Sequence, residues 1–357
     1  MDSNYQREKY FRPILPKESI ALPRPVRTAV IDVGKGCQAR CDFCYYTWNS
    51  DYKGFVNFDA LCDQARQAKN RGNTFIELTG GEPTIMPRID EYVKYIHFLD
   101  MKVSIITNAL AHEARMKTII DAQVDLFRVS MHGMEETHDS IVGVKNARKK
   151  QERFLRLLND NDVPYHVNYV ISNRTQNDIK TFTEYIIPFK PKQMAFINFN
   201  PHYEWGAEEK ALTVTADLRK VEGILNEAID LFEANDIGVN VRYYPMCRIR
   251  EDLRKNICND LHVMFDPWEW DYEVMPKRFS HYFNFGKHLS SKNEENGLPC
   301  CDCSIHDICG GINVAFNKAT KQTMVDPIIT KEKYTFDDFY LYRKFNVKTL
   351  VMPWKKI

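Results

Sequence analysis

The chain has 357 residues, 44% of them hydrophobic and 27% charged, which is enough to bury a full core and allows one large domain with a smaller one beside it. Lys plus Arg (49) nearly balance Asp plus Glu (48), so no global field points to nucleic acid, an anionic membrane or an acidic substrate. The opening residues 1–22 mix charges, prolines and aromatics, and no stretch approaches the roughly 18 apolar residues of a membrane span, so no membrane is expected and the expected location is cytoplasmic.

In chain order, residues 1–26 form an N-terminal extension. From residue 27 to 243 short β-rich runs alternate with amphipathic helical stretches, the pattern of an α/β parallel sheet covered by helices. Six strands are predicted: Thr28 to Val33, Thr74 to Leu78, Val103 to Ile106, Leu126 to Ser130, Tyr165 to Ile171 and Met194 to Asn198. Between them run helical stripes such as Phe58, Leu61, Cys62, Ala65, Ala68 and Leu218, Val221, Leu225, Ala228, Ile229, Phe232, which face the sheet and make Cys62 a core thiol. The connection after the first strand is longer than one βα unit needs, and it holds Cys37, Cys41 and Cys44. Loops at the C-terminal ends of parallel strands form the active face of α/β folds. The predicted strands end in Gly34, Thr79-Gly80-Gly81-Glu82, Thr107-Asn108, Ser130 and Ser172-Asn173, so one polar rim is expected.

After strand-like Val239 to Tyr243 the alternation stops. Residues 244–330 read as a small cysteine-rich domain with Cys247, Cys258, Cys300, Cys301, Cys303 and Cys309, and residues 331–357 as a basic, aromatic tail. Nine of the ten cysteines lie in two clusters, and without a signal peptide they suggest metal at two places rather than a disulfide framework.

The first cluster, Cys37-Gln-Ala-Arg-Cys41-Asp-Phe-Cys44, has the spacing C-x3-C-x2-C. Three thiolates on one loop can hold three irons of a cubane and leave the fourth open to a ligand, whereas zinc would want a fourth Cys or His, and the next histidine is His97. This motif, with Phe43 before its third cysteine, resembles the radical S-adenosylmethionine (SAM) superfamily. Gly80-Gly81-Glu82-Pro83, one βα unit later, resembles the family's GGEP motif for the SAM amino group.

The resemblance implies a partial (β/α)6 TIM-like barrel over residues 27–243, followed by a twitch-like domain over 244–330. It implies a [4Fe-4S] cluster on Cys37, Cys41 and Cys44, with SAM contacted by Phe43, Gly80, Gly81, Glu82, Pro83, Thr107, Asn108 and Ser130. Asn168, Asn173, His132 and His138 lie near the same rim, where turn, core or capping roles stand beside contacts to cofactor or substrate. Pro299-Cys300-Cys301-Asp302-Cys303 to Cys309 resembles the core of SPASM or twitch extensions. One auxiliary iron-sulfur cluster is therefore expected on Cys247, Cys300, Cys303 and Cys309, with Cys258 as rival to Cys247, Cys301 as a spare thiol and zinc as the alternative metal. The segments Asn198 to Trp205 and Asp266 to Asp271 combine aromatics with carboxylates that suit either a polar substrate or packing between domains. The implied activity is reductive cleavage of SAM to a 5'-deoxyadenosyl radical that takes hydrogen from a peptide or small-molecule substrate. The electron would come from a reductant such as flavodoxin or ferredoxin. A cluster- or zinc-stabilised binding protein without turnover is the alternative.

Overall fold

A computed structural model describes residues 28–44, 54–199, 213–258, 270–271, 299–306, 308–309, 311–312, 320 and 324–331. The expectations for residues 1–26 and 332–357, for 200–205 and 266–269, and for the side chains of Cys258 and Cys301 lie outside them.

The six expected strands are all present, with ends shifted by a residue at most: β1 (Thr28–Asp32), β2 (Phe75–Thr79), β3 (Lys102–Thr107), β4 (Leu126–Ser130), β5 (Tyr165–Ile171) and β6 (Gln193–Asn198). A seventh, β7 (Gly238–Arg242), occupies the strand-like segment before the cysteine-rich region, so the barrel has one strand more than the six expected. These seven pair in sequence order, every pair parallel. Two short strands extend the sheet in parallel, β8 (Ile257–Cys258) beyond β7 and β9 (Trp270–Asp271) beyond β1. The result is a partial TIM-like barrel.

Among the described residues seven named helices intervene: α1 (Phe58–Asn70), α2 (Ile89–Phe98), α3 (Glu113–Asp121), α4 (Glu135–Val142), α5 (Ala147–Asp160), α6 (Ile179–Ile186) and α7 (Leu218–Ala234). Asn57 starts α1 by accepting from the Asp59 amide at 2.9 Å, a cap that contributes about 1 kcal/mol. Leu61, Cys62, Ala65 and Ala68 are its buried face, and Cys62 is the core thiol expected. In α7 the whole expected stripe is buried.

Strand side chains alternate between faces. Ala29, Ile31, Ile76, Leu78, Val103, Ile105, Phe127 and Val129 join the helices in one continuous apolar core. The register places Glu77, Ser104, Arg128, His166 and Asn240 together on the opposite, inner face, and all five are buried. Glu77 accepts from Ser104 Oγ at 3.0 Å and pairs with Arg128, so the barrel interior is polar. The described part of the cysteine-rich segment shares the main core, through Ile305, Ile308, Ile312, Met324 and Val325. Among the described residues no helix is long and apolar enough to cross a membrane.

Candidate active site

The C-terminal ends of β1, β2 and β3 are tied into one lattice. Beyond β1, Gly34 N donates to Asp32 Oδ1 (2.8 Å), while Gly81 N and Glu82 N donate to the carbonyls of Gly34 (2.7 Å) and Gly36 (2.8 Å). The glycines are needed because the two loops touch backbone to backbone. A Cβ at Gly81 would collide with the Gly36 carbonyl, and Gly80 has φ of +137° with no room toward Gly34. Here the glycines bring loop against loop.

Glu82 is the centre of the lattice. Its buried carboxylate accepts from Thr84 N (3.1 Å), Thr84 Oγ1 (2.5 Å), Thr107 Oγ1 (2.6 Å) and Asn108 N (2.6 Å). Burial pushes its pKa up, and the four donors pull it back. With its acceptor capacity so used, Glu82 holds the ends of β2 and β3 together rather than offering a free carboxylate. Thr107 is likewise occupied, its Oγ1 also accepting from Ala109 N at 2.8 Å. Pro83 and Thr84 are buried in a single 3-10 turn.

Asn108 carries the lattice to the cysteine loop. Its Nδ2 approaches Cys37 Sγ at 3.6 Å, and its Oδ1 accepts from Gln38 Nε2 (3.2 Å) and Leu110 N (3.0 Å). The loop is held from the other side by Arg40 N and Asp42 N, which donate to the Val142 and Ile141 carbonyls at the end of α4 (2.9 and 3.2 Å). Buried Ala39 packs against Leu110, Ile141, Val142 and Ala147. Arg174, after β5, pairs with Asp42 and also donates to Ser140 Oγ.

Cys37, Cys41 and Cys44 thus stand on one braced turn, with Cys44 N donating to Cys41 O at 3.1 Å. Burial raises the Cys37 thiol to about 11, with the charges of Glu82 and Cys44 adding to it. Cys41 is pushed up more strongly, by burial first and then by Cys44 and Cys37. Cys44 raises the thiol of Cys37, and Cys44 and Cys37 raise that of Cys41; such a set of neighbouring thiols suits a cationic iron cluster, which would stabilise their thiolates. Among the described residues no three His, Cys, Asp or Glu side chains converge as a single metal ion requires.

Phe43 meets the ring of His132 edge-on, centroids 4.8 Å apart. His132 and His138 are both buried and bonded to backbone: Val170 N donates to His132 Nδ1 (3.1 Å), and His132 N to His138 Nδ1 (2.9 Å). Burial lowers both pKa values, His138 to about 3 with Arg148 contributing, so both rings are neutral with the proton on Nε2. Of the roles open to them, this geometry gives the structural one. Asn173 donates from Nδ2 to Thr213 O and from its backbone to Val214 O, a loop-tying role.

Sequence reading missed Gln151. This buried side chain of α5 donates from Nε2 to the carbonyls of Asn108 (2.9 Å) and Ser130 (2.7 Å), joining the ends of β3 and β4 from beneath. The available signal was a glutamine on the apolar stripe of α5, among Ala147, Phe154, Leu155 and Leu158.

At the second cysteine cluster, Cys247 lies within the field of Cys309 and Cys300. Burial raises its thiol to about 12, against a backbone donor from Asp326 at 3.4 Å. Cys303 and Cys309 accept from Ile328 N and Gly311 N, both at 3.3 Å. Amide donors at sulfur are one of the means by which proteins stabilise cluster thiolates.

Residues 31–186 match the family described as the Radical SAM superfamily. The chain is 24% identical over 215 residues to a probable GTP 3',8-cyclase of Sulfolobus acidocaldarius, covering 60% of this chain and 68% of that protein. SuiB of Streptococcus suis bound to precursor peptide SuiA is 19% identical with a TM-score of 0.51, covering 60% of this chain and 48% of that one. Native anSMEcpe with bound AdoMet and Cp18Cys peptide is 22% identical with a TM-score of 0.50, covering 61% and 64%. At these identities the structural likeness is one of fold. The chain spans about two thirds of the length of the cyclases and about half of SuiB.

Proposed function

We propose that this chain, a radical SAM enzyme whose residues 31–186 belong to that superfamily, holds a [4Fe-4S] cluster on Cys37, Cys41 and Cys44 and binds SAM on the rim formed by β1 to β4. One observation carries the reading: the cysteine turn is bonded to the strand-end lattice through Asn108, so the cluster ligands and the candidate SAM residues form one rigid unit. When bound, the cluster with SAM supplies a 5'-deoxyadenosyl radical by reductive cleavage. The chain's own residues then have positioning roles. Glu82 fixes Thr107 Oγ1 and the Asn108 amide, Gln151 fixes the Asn108 and Ser130 carbonyls, Phe43 offers an aromatic edge beside His132, and the Gly80-Gly81 contact sets the separation of the first two loops.

The substrate is proposed to be a peptide or a polar small molecule. The cyclase relative is named for GTP, and both structural relatives are recorded with peptides. The polar inner face with Glu77, Arg128, His166 and Asn240 suits a ligand with hydrogen-bonding groups. A second iron-sulfur cluster is proposed at Cys247, Cys300, Cys303 and Cys309, supported by the amide donors at three of these sulfurs. Such oxygen-sensitive clusters suit the reducing cytoplasm.

The test is release of 5'-deoxyadenosine from SAM by anaerobically reconstituted, dithionite-reduced protein, beside a variant with Cys37, Cys41 and Cys44 changed to Ala. Formation by the parent alone is expected. A parent that carries its iron yet makes no 5'-deoxyadenosine would sink the catalytic reading in favour of a binding protein.

A further inference from the structure

Between α3 and α5 lies an open groove of about 610 Å³, with Leu110, Lys117, Lys150, Arg153, Phe154 and Leu157 in its walls. Lys117, Lys150 and Arg153 are exposed. Nearby cations are matched, Lys149 by Glu135 at 3.0 Å and Arg156 by Glu152 at 2.8 Å. No such ion pair is found for these three among the described residues, and Glu113 is the carboxylate lining the groove. Local positive charge is therefore in excess on a chain whose net charge is only +1.

The groove wall also adjoins the cysteine turn. Leu110 N donates to Asn108 Oδ1 at 3.0 Å, and Asn108 Nδ2 reaches Cys37 Sγ at 3.6 Å, so two hydrogen bonds separate the groove wall from a cluster ligand. The Leu110 side chain packs in the same apolar group as Ala39 and Cys41. Gln151 holds the Asn108 carbonyl from below, which keeps this relay short.

We propose that the groove is the docking site of an acidic one-electron donor protein, carrying a reduced flavin or iron-sulfur centre, that delivers the electron consumed in SAM cleavage. The inference rests on the radical reading above. The donor loses one electron and the cluster on Cys37, Cys41 and Cys44 gains it. That electron is then spent in breaking the C5'–S bond of SAM, which yields methionine and the 5'-deoxyadenosyl radical and returns the cluster to its oxidised level. Opposite charges on the two faces accelerate encounter and fix orientation, and the attraction falls as salt rises.

The experiment uses reconstituted protein and two probes, flavodoxin and ferredoxin, titrated by calorimetry at low and moderate ionic strength. The variant is Lys117→Glu/Lys150→Glu/Arg153→Glu, three exposed residues outside the SAM rim. For at least one probe, the Kd is expected to rise about tenfold or more in the variant and to lose most of its salt dependence. Donor-supported formation of 5'-deoxyadenosine should fall with it, while dithionite-supported formation stays at the parent level. A Kd for both probes unchanged by the charge reversal, no measurable binding of either, or a loss that the dithionite assay shares would overturn the proposal. A parent inactive with dithionite would instead defeat the radical reading, because the binding titrations remain interpretable without turnover.

Discussion

The two ends of the barrel are built on different principles. At the C-terminal ends of the strands, groups distant in sequence are consumed by one another: Glu82 by Thr107 Oγ1 and Asn108 N, the Asn108 and Ser130 carbonyls by Gln151, and Asp42 by Arg174. At the opposite end, where helices return to strands, the chain turns locally on single residues of positive φ. Asp100 (54°), Gln123 (68°), Asp162 (52°) and Asp236 (58°) each follow a helix, and none is a glycine. Local turns can be exchanged one at a time, whereas the upper rim stands or falls as a network.

The contrast can be tested from its strongest point downward. Glu82→Ala should remove the acceptor of four donors in a buried space and cost on the order of 4 kcal/mol, with SAM binding lost. Urea unfolding and SAM titration check this, and Glu82→Gln, which keeps the shape, should fall between the two. An Ala variant of parental stability would show that the rim is not a network.

Gln151→Leu should cost about 2 kcal/mol, since two carbonyls lose their shared donor, and weaken SAM binding about tenfold. A loss of stability with an unaltered SAM affinity would limit Gln151 to a packing role.

Acid should weaken the fold at both ends of the barrel, through His132 and His138 at the rim and through buried His166 at the start of β5, whose pKa is lowered by burial and then by Arg128. His132 and His138 are held neutral in the fold, so the unfolded chain binds protons below about pH 6.5 that the folded chain refuses. Stability is thus fully present above that pH and is lost as pH falls toward the depressed value of about 3 for His138. The slope is about 1.4 kcal/mol per pH unit for each histidine. Unfolding curves at descending pH should show it, and His138→Gln should flatten it.

The smallest effect belongs to the lower end. Gln123→Gly relieves a left-handed residue just past α3 and should stabilise by about 0.5 kcal/mol with unchanged SAM affinity, read from the urea midpoint.

Much of the fold was legible in the chain because parallel strands buried on both faces and helices with one apolar stripe leave short-range patterns. Thus β1 to β6 and the stripes of α1 and α7 stand where periodicity put them. The strand β7 was visible only as a strand-like run, since Gly238-Val-Asn-Val-Arg242 mixes polar residues that face the barrel interior with two valines. The spacing of Cys37, Cys41 and Cys44 and the Gly80-Gly81 pair were equally local signals.

What each rim residue does was not local. In the GGEP segment the sequence offers Glu82 or nearby carbonyls as acceptors for the SAM amino group but does not show Glu82's neighbours; 25 and 26 residues separate it from Thr107 and Asn108, which donate to its oxygens. For His132 and His138 the sequence left a capping role and a substrate contact side by side, and burial beside backbone donors favours the structural role. Gln151 bonds to loops 43 and 21 residues away, and no motif announces it. The sequence alone determined which groups could bear chemistry and which segments would form strands, because both follow from composition and period within a few residues. Only the tertiary structure decided which of those groups were already satisfied, because a hydrogen bond depends on distances that the closing of the barrel creates.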